Sequence, residues 1–347
     1  MEEGLIDILL PTYNGEKYIR QQLDSLFAQS DSGWKLLIRD DGSKDRTVAI
    51  IQEYQHRFPD KIKIITDDKG NLGITNNVFE LLWNSTGEYV MLCDQDDVWF
   101  PNKISKSREL ISLKEKQQGK VPILIHTESL VVDENLKPIS AGAEYHRNEK
   151  SKEKSKEKIE EKINSEFINK YYKSLMNQCG YHKYRTSFGN LLLLNSVQGA
   201  TIIMNKALKT ELEPLKQTKI RKNLVHDSII SSVASIFGNI YFYKIPLMYY
   251  RQHGRNAVGI NHNSWLNWFS LTEEEKNRKK GSSFLLVNRE KSELIQLKYG
   301  KILSEKQKAV MQHFMKEPNN WKQFFELSLY HEFSIKEILI MAVFGVR

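Results

Sequence analysis

The spacing of apolar residues predicts alternating strands and helices along the first hundred residues. Short apolar runs, typical of buried strands, occur at residues 5–10, 34–38, 62–65 and 88–93. Apolar residues at helical spacing fill the segments between these strands, at 16–28, 44–57 and 74–85. Because strand and helix alternate at short intervals, the pattern predicts an α/β fold, with a mostly parallel sheet flanked by helices.

The α/β pattern continues toward residue 260. Helices are predicted at 102–118 and 205–213, and a buried helix is predicted to begin at His226. Further strands are predicted at 122–125, 129–132, 196–204, 240–243 and 247–250. The Lys- and Glu-rich stretch at 147–162 has almost no apolar face, which indicates a solvated helix or an insertion.

Beyond about residue 263 the chain is helix-like, basic and rich in aromatic residues. Such a region could pack on the α/β domain, dimerise or lie on a membrane surface, since amphipathic helices with Trp and Lys suit an interface. We therefore expect an α/β domain at 1–262, with a charged insertion at about 147–165, and a helical region at 263–347.

Composition narrows the classes of partner and compartment. At 347 residues the chain can bury a sizeable core, and its net charge of +8 favours an anionic partner. Nucleic acid is disfavoured because the sequence has no zinc-finger or RNP-like string. The two cysteines give no disulfide framework and no zinc-ligand spacing. With no apolar run long enough to cross a bilayer and no secretory signal, a cytoplasmic location is expected.

Three carboxylates, Asp94, Asp96 and Asp97, follow directly after the predicted strand at 88–93. Crowded carboxylates repel one another unless a cation lies between them, and their oxygens suit Mg²⁺ or Mn²⁺. Protein-bound Mg²⁺ is usually held by one or two carboxylates together with substrate phosphates. The motif therefore predicts a metal-bridged phosphate site, and the alternative is a solvated acidic turn.

Polar or glycine residues also follow the other predicted strands. These residues are Tyr13, Asn14, Asp40, Asp41, Asn71 and Gly73. In open α/β sheets, ligands bind outside the carboxyl ends of the strands, so these side chains are expected along one edge. A dinucleotide fingerprint and a P-loop are both absent after the first strand, which excludes two common phosphate-binding classes.

Taken in order, the motifs resemble those of family 2 glycosyltransferases with the GT-A fold. The motifs are Pro11-Thr-Tyr-Asn14, Asp40-Asp-Gly-Ser-x-Asp45, Asn71-x-Gly73, Asp94-x-Asp-Asp97, His226-Asp227 and Tyr250-Arg-Gln-His-x-x-Asn256. The resemblance covers roughly residues 4–260 and implies that 1–262 forms a GT-A catalytic domain. The last two motifs look most like those of bacterial rhamnosyltransferases that act in surface-polysaccharide synthesis.

The resemblance implies a role for each matching residue. Asp94, Asp96 and His253 would hold the metal, Asp97 would contact the donor sugar, and Asp227 would be the general base. Residues implied to bind the nucleotide are Thr12, Tyr13, Asn14, Asp40, Asp41, Asn71 and Gly73, with Tyr13 stacking on the base and Asp41, beside Asp40, accepting from the pyrimidine N3–H. Gly199 falls where the family has an acceptor-facing loop.

Structural explanations compete with several of these roles. Tyr13 could pack in the core, and Asp40 and Asp41 could cap the following helix. Asp227 could be an early-helix carboxylate stabilised by the helix dipole, and His253 could be an ordinary loop histidine.

The implied activity is an inverting, metal-dependent transfer of L-rhamnose from dTDP-rhamnose to a saccharide or lipid-linked saccharide acceptor. The cofactor would be Mg²⁺ or Mn²⁺, and the protein would be cytoplasmic, with peripheral contact with the inner membrane surface and a homodimer as open options. The alternatives are a UDP-hexose donor with the same fold, a nucleotidyltransferase, or a non-catalytic saccharide-binding scaffold. A nucleotidyltransferase would be expected to have a glycine- and basic-rich phosphate loop where this chain has Pro11-Thr-Tyr-Asn-Gly15.

Overall fold

One eight-stranded sheet organises the residues that the computed structural model describes, which are 4–138, 186–193, 195–253 and 284–315. The strands are β1 (Ile6–Thr12), β2 (Trp34–Asp40), β3 (Ile62–Ile64), β4 (Tyr89–Leu92), β5 (Val98–Trp99), β6 (Leu124–Val132), β7 (Ile202–Asn205) and β8 (Ile240–Arg251). The helices are α1 (Ile19–Phe27), α2 (Thr47–Arg57), α3 (Gly73–Asn84), α4 (Lys103–Gln118), α5 (Phe188–Leu193), α6 (Lys206–Glu211), α7 (His226–Phe237), α8 (Phe284–Tyr299) and α9 (Glu305–Met315). The predicted insertion at 147–165 lies outside the described residues, as does much of the predicted region at 263–347.

The strand order confirms the predicted α/β fold. The sheet runs β3-β2-β1-β4-β7-β6-β8-β5. The first four of these strands are parallel, β7 is antiparallel to both its neighbours, and β6 is parallel to β8. The short β5 pairs antiparallel with β8. Because β1, β2 and β4 run in the same direction, the loops that follow them emerge at the same edge of the sheet.

Helices cover both faces of the sheet, so the parallel strands are buried on both sides. All seven residues of β1 and all four of β4 are buried, which explains their continuous apolar runs. Successive side chains of β1 alternate between two core clusters, since a strand repeats every two residues. Leu9 packs in the cluster that contains Val78 of α3, whereas Ile8 and Leu10 pack in the cluster that contains Leu23 of α1.

Two predictions of paired short strands were wrong. The predicted strands at 122–125 and 129–132 form one strand, β6, and those at 240–243 and 247–250 form one strand, β8. Pro246 lies inside β8 opposite Glu128, where the β6–β8 register shifts on both sides of Glu128. Proline has no N–H to donate to a sheet, and this irregularity lets the strand continue past it.

The predicted strand at 196–204 is also shorter than expected. A single 3₁₀ turn at Gly199–Thr201 precedes β7, which begins only at Ile202. The two-residue strand β5 was not predicted, because its apolar run is too short to detect. The 3₁₀ turn lies beside the first turn of α7, where the Gly199 N–H donates to Asp227 Oδ2.

The described part of the C-terminal region packs on the α/β domain. Ile295 and Tyr299 of α8 and Val310 and Met311 of α9 are buried in the same core cluster as Leu191 of α5. Residues 284–315 therefore pack on the α/β domain, which is one of the three uses predicted for this region. In the described parts of the chain, no helix is both long and apolar enough to cross a membrane.

Candidate active site

A side-chain hydrogen bond joins the end of β1 to the end of β2. Thr12 lies opposite Asp40 in the strand register, and its hydroxyl donates to Asp40 Oδ1 at 2.9 Å. The other Asp40 oxygen accepts from the backbone N–H of Gly42 at 3.0 Å and of Ser43 at 2.7 Å. Asp40 therefore shapes its own turn and holds the end of β1 against the end of β2.

The residue after Tyr13 reinforces this junction. Asn14 has φ 47°, a left-handed conformation that asparagine tolerates better than most residues. Its backbone N–H donates to Ser43 Oγ at 2.8 Å, and its side-chain oxygen accepts from Lys44 N at 2.8 Å. The first two predicted nucleotide-binding motifs are thus brought into direct contact.

Tyr13 projects from this junction into solvent. Its side chain is 49% exposed, so the explanation that it packs in the core is wrong. Gln95 fixes the backbone on which the ring is carried: Tyr13 N donates to Gln95 Oε1 at 3.0 Å, and Gln95 Nε2 donates to Tyr13 O at 2.9 Å. These two bonds also connect the end of β1 to the acidic motif after β4.

Asp41 is almost completely buried, unlike Asp40. Its carboxylate accepts from Leu72 N and Gly73 N, both at 2.7 Å, and from Arg39 Nη1 at 2.8 Å. Asn71 Nδ2 donates to the Asp41 carbonyl at 2.8 Å. Asp41 therefore holds the start of α3, rather than of α2, the helix that follows it in sequence. Its predicted contact with the nucleotide base stays a prediction.

The acidic motif after β4 is fixed by the end of β8. The Arg251 N–H donates to Asp97 Oδ1 at 3.0 Å, and its Nε donates to the Asp96 carbonyl at 2.7 Å. His253 Nε2 lies 2.8 Å from Asp96 Oδ2, and the His253 ring stacks on Tyr18 with centroids 4.7 Å apart. The structure thus brings Asp96 and His253 together from positions far apart in sequence.

The carboxylates of this motif are crowded, and they range from partly to fully buried. Burial raises the pKa of Asp94 to about 7, and the neighbouring charges of Asp96 and Asp227 add to the rise. Asp97 is fully buried, and its Oδ2 has no hydrogen-bond partner in the described parts of the chain. Crowded carboxylates of this kind are stabilised by a nearby cation.

These donors fit the predicted metal by their chemistry. Carboxylate oxygens suit Mg²⁺ and Mn²⁺, and imidazole is a common additional ligand for transition metals. Asp96 and His253 are in direct contact, whereas Asp94 is connected to them by its electrostatic interaction with Asp96. Among the described residues, no three His, Cys, Asp or Glu side chains are arranged as a preformed metal site. Substrate phosphates often complete such a coordination shell.

Asp227 lies in the first turn of α7, as the sequence predicted, and it is partly buried. Its Oδ2 accepts from the backbone N–H of Gly199 at 3.2 Å, in the 3₁₀ turn before β7. Burial raises the pKa of the Asp227 carboxyl, and the adjacent His226 opposes that rise. Because the Asp227 charge contributes to the raised pKa of Asp94, these two carboxyls lie within electrostatic reach of each other.

Gly199 has no room for a side chain. A Cβ at this position would lie 2.9 Å from His226 Nε2 and 3.4 Å from Asp227 Cβ. We expect Gly199→Ala to displace His226 and, with it, the first turn of α7 that carries Asp227. Turnover should fall by about tenfold to a hundredfold, because small displacements of reacting groups have large kinetic effects. Turnover and melting temperature should be measured together. An alanine variant with wild-type turnover would contradict this expectation.

The first half of the chain matches the model of one known protein family. Residues 7–184 match the family model described as "Glycosyl transferase family 2". The chain belongs to glycosyl transferase family 2. The predicted family membership is therefore confirmed.

Similar proteins share only part of their length with this family 2 glycosyltransferase. The putative glycosyltransferase EpsE of Bacillus subtilis is 29% identical over 129 residues, which cover 37% of this chain and 44% of EpsE. The Escherichia coli protein named UDP-Glc:alpha-D-GlcNAc-diphosphoundecaprenol beta-1,3-glucosyltransferase WfgD is 31% identical over 106 residues, covering 30% of this chain and 40% of WfgD. The matched region thus spans less than half the length of either relative.

A solved structure supports the fold. The crystal structure of Staphylococcus aureus TarS 1-349 in complex with UDP-GlcNAc has a TM-score of 0.51 at 16% identity. The match covers 90% of this chain and 71% of the TarS chain. At this identity the likeness concerns the fold alone, and it agrees with the predicted GT-A architecture.

Three buried cations of this family 2 glycosyltransferase were missed by the sequence analysis. Arg39 pairs with Asp41 and Asp67, Arg251 supports the acidic motif, and Lys103 is buried within electrostatic range of Asp94 and Asp97. Lys103 Nζ donates to the Ala200 carbonyl at 2.6 Å and lies 4.3 Å from the Trp99 ring centroid. Burial lowers the pKa of Lys103 to about 8. In the sequence, Lys103 is one of several lysines in a predicted basic helix. Nothing in the local pattern distinguishes it from the exposed ones.

Proposed function

We propose that this protein transfers a sugar from a nucleoside diphosphate sugar to an acceptor hydroxyl with inversion at the sugar carbon. The observation that carries the proposal is the meeting of two kinds of acid at one site. Asp94, Asp96 and Asp97 form an acidic cluster suited to a cation and a diphosphate, and Asp227 lies within electrostatic reach of Asp94. Family 2 membership supports the same reaction class.

The chemical step assigned to Asp227 is proton removal. The acceptor oxygen forms a bond to the anomeric carbon as the bond from that carbon to the diphosphate oxygen breaks. The bonding electrons leave with the diphosphate, and the acceptor proton moves to the Asp227 carboxylate. Inversion requires that base to face the sugar from the side opposite the leaving group. Asp96 and His253 would hold the divalent cation, which when bound neutralises charge on the diphosphate.

The nucleotide would lie on the joined loops after β1 and β2. Tyr13 offers an exposed ring for stacking, on a backbone fixed by Gln95. Asp40 is half-buried, whereas Asp41 is buried and its carboxylate accepts from Arg39 and from the start of α3. We therefore propose that Asp40 is the carboxylate nearer the nucleotide, with Asp41, Asn71 and Gly73 shaping the surface beside it.

Two donors remain in competition. The motifs at 226–227 and 250–256 favour dTDP-rhamnose, by their resemblance to rhamnosyltransferases. The name of the E. coli relative contains UDP-Glc, and TarS was crystallised with UDP-GlcNAc, which favours a UDP-hexose. Both donors carry a pyrimidine base, so the same loops would serve either one.

The acceptor proposed is a saccharide or a lipid-linked saccharide. The name of WfgD specifies a diphosphoundecaprenol-linked sugar, and the net charge of +8 in this chain suits an anionic surface or substrate. A cytoplasmic enzyme with peripheral contact with the inner membrane surface fits such an acceptor. We retain residues 1–262 as the catalytic domain and 263–347 as an appended helical region, with a homodimer as an open option.

A thermal-shift panel tests the proposed function. Purified protein is mixed with dTDP-rhamnose, UDP-glucose, UDP-GlcNAc or GDP-mannose, each with and without Mn²⁺, because a ligand that binds the native state raises the melting temperature. The donor with the largest metal-dependent rise is then assayed for nucleoside diphosphate release with saccharide acceptors. Pyrophosphate release from a sugar phosphate and a nucleoside triphosphate would instead support a nucleotidyltransferase. Nucleotide binding without metal dependence or turnover would support a non-catalytic scaffold.

Metal removal gives a separate prediction. We expect EDTA to abolish both donor turnover and the metal-dependent rise in melting temperature, and Asp96→Asn to lose most of that rise at equal Mn²⁺. The reason is that Asp96 combines a carboxylate with direct contact to His253. The control is Asp60→Asn, an exposed aspartate. An Asp96→Asn protein with the wild-type metal response would exclude Asp96 as a ligand.

A further inference from the structure

A lysine from the C-terminal helices reaches the helix that bears the proposed base. Lys291 lies on α8, outside the segment 7–184 that matches the family model, and only 2% of its surface is exposed. Its Nζ donates to Ser228 Oγ at 2.8 Å and to the Leu191 carbonyl at 2.8 Å. Lys291 therefore connects three helices, α8, α7 and α5, through one amino group.

The two recorded partners of Lys291 are both neutral. A buried ammonium group without an opposite charge is costly, and neutral acceptors only partly compensate for the lost water. The helix packing itself therefore gives little reason for a cation at this position. An anionic group within electrostatic range would provide such a reason.

That anionic group is Asp227, the neighbour of Ser228 in the first turn of α7. Burial lowers the pKa of Lys291 to about 7, and the Asp227 charge opposes that fall. In return, the Lys291 charge opposes the rise that burial causes in the pKa of Asp227. Each group thus favours the charged form of the other.

Other charged groups also act on Asp227 from the surrounding elements. His226 precedes it on α7, and Asp94 interacts with it electrostatically from the loop after β4. Lys103 of α4 contacts the Ala200 carbonyl, one residue beyond the Gly199 N–H that binds Asp227. Because burial lowers the pKa of His226, its ring is neutral at physiological pH. Lys291 then supplies positive charge to Asp227 from a second helix, α8.

We propose that Lys291 is a positioning residue for the base, which holds the first turn of α7 and supplies the positive charge that keeps the Asp227 carboxyl ready to accept a proton. This inference rests on the proposed function, because it takes Asp227 to be the base. The proposal gives α8 a part in the reaction, although this helix lies beyond the segment 7–184 that matches the family model. The competing explanation is that Lys291 only joins α8 to α5 and α7.

The pH dependence of turnover separates these explanations. Lys291→Met keeps the length of the side chain and removes its charge, so the Asp227 pKa should rise and the acid limb of the kcat profile should move to higher pH. We expect a shift of about one unit, equivalent to about a tenfold loss below the limb. Above about pH 8 the two profiles should converge, since the wild-type amine is then largely neutral. The matched control is Lys301→Met, which removes an exposed lysine just after α8.

A merely structural role predicts a different result. Loss of helix packing would lower the melting temperature and lower kcat by the same factor at every pH, and that outcome would overturn the proposal. If Lys291→Met does not fold, Lys291→Gln retains a donor for the Leu191 carbonyl while still removing the charge. An unshifted acid limb in the glutamine variant would equally overturn it.

A direct titration makes the result independent of turnover. Protein labelled with ¹³C at the aspartate carboxyl carbon is titrated by NMR, and the Asp227→Asn variant identifies the Asp227 resonance. A midpoint about one unit higher in Lys291→Met supports the proposed coupling, and an unchanged midpoint overturns it. If no donor in the panel is turned over, the proposed function fails while this titration still decides the role of Lys291.

Discussion

Replacing Asp227 by asparagine is expected to lower turnover by about 10²–10⁴-fold, the usual contribution of a general base. The amide is similar in size and its oxygen can still accept the Gly199 N–H, so the site should keep its shape. The amide cannot take the acceptor proton at neutral pH. Nucleoside diphosphate release, measured with a saturating donor and acceptor, provides the test.

Stability should move in the opposite direction to activity in this variant. Because burial raises the pKa of Asp227, the folded state disfavours its ionised form. This penalty is absent below the unfolded pKa, near 3.8, and reaches its full size once the pH exceeds the folded pKa. Above about pH 8, where the Lys291 amine is largely neutral and needs no counter-charge, the Asp227→Asn protein should therefore melt no lower than the wild type.

Asp60→Asn removes an exposed carboxylate and should retain wild-type turnover. Turnover in Asp227→Asn within a few-fold of the wild-type rate would exclude Asp227 as the base. Loss of turnover together with a lower melting temperature would point to misfolding of α7.

Replacing Arg39 by methionine is expected to reduce the free energy of unfolding by about 3–5 kcal/mol, the range found when one partner of a buried ion pair is removed. The Arg39 side chain is 3% exposed and contacts Asp41 and Asp67, both at 2.8 Å. Its guanidinium also donates to the Gly70 carbonyl and to Asn77 Oδ1. Methionine would leave the Asp41 carboxylate buried without a counter-charge.

Chemical denaturation measures this change, and a surface pair supplies the control. Arg20 forms a similar two-bond pair with Glu53, but about half of each side chain is exposed. Arg20→Met should therefore change stability little, since exposed ion pairs contribute little. Comparable losses in the two variants would show that burial does not determine the contribution of Arg39. Arg39→Met should also weaken nucleotide binding, because Asp41 and the loop before α3 would shift together.

Sequence reasoning found the acidic site because the fold brings strand ends together. Asp40 and Asp94 were assigned to one edge from apolar spacing alone, and the parallel order of β1, β2 and β4 places them there. The pairing of His253 with Asp96 was implied only by family resemblance, since no local pattern joins residues so distant in the chain.

The supporting residues were not predictable in the same way. Lys103 and Lys291 lie on helices where lysine is normally solvated, and their burial depends on partners about a hundred residues away. Asp41 was placed correctly at a strand end, but its attachment to α3 depends on how that helix approaches the sheet. The spacing of apolar residues predicts the direction of the strands and the sheet edge at which a residue lies. The side-chain contacts of Lys103, Lys291 and Asp41 can be seen only in the packed structure.

The position of β8 late in the sequence affects when the enzyme can become active during its synthesis. Arg251 and His253 secure the acidic motif from more than 150 residues downstream. When only the family-matching segment has emerged from the ribosome, the aspartates of the acidic motif therefore lack their contacts with Arg251 and His253. We expect a fragment ending at residue 184 to lack metal-dependent nucleotide binding, so that activity first arises late in translation, once β8 has joined the sheet.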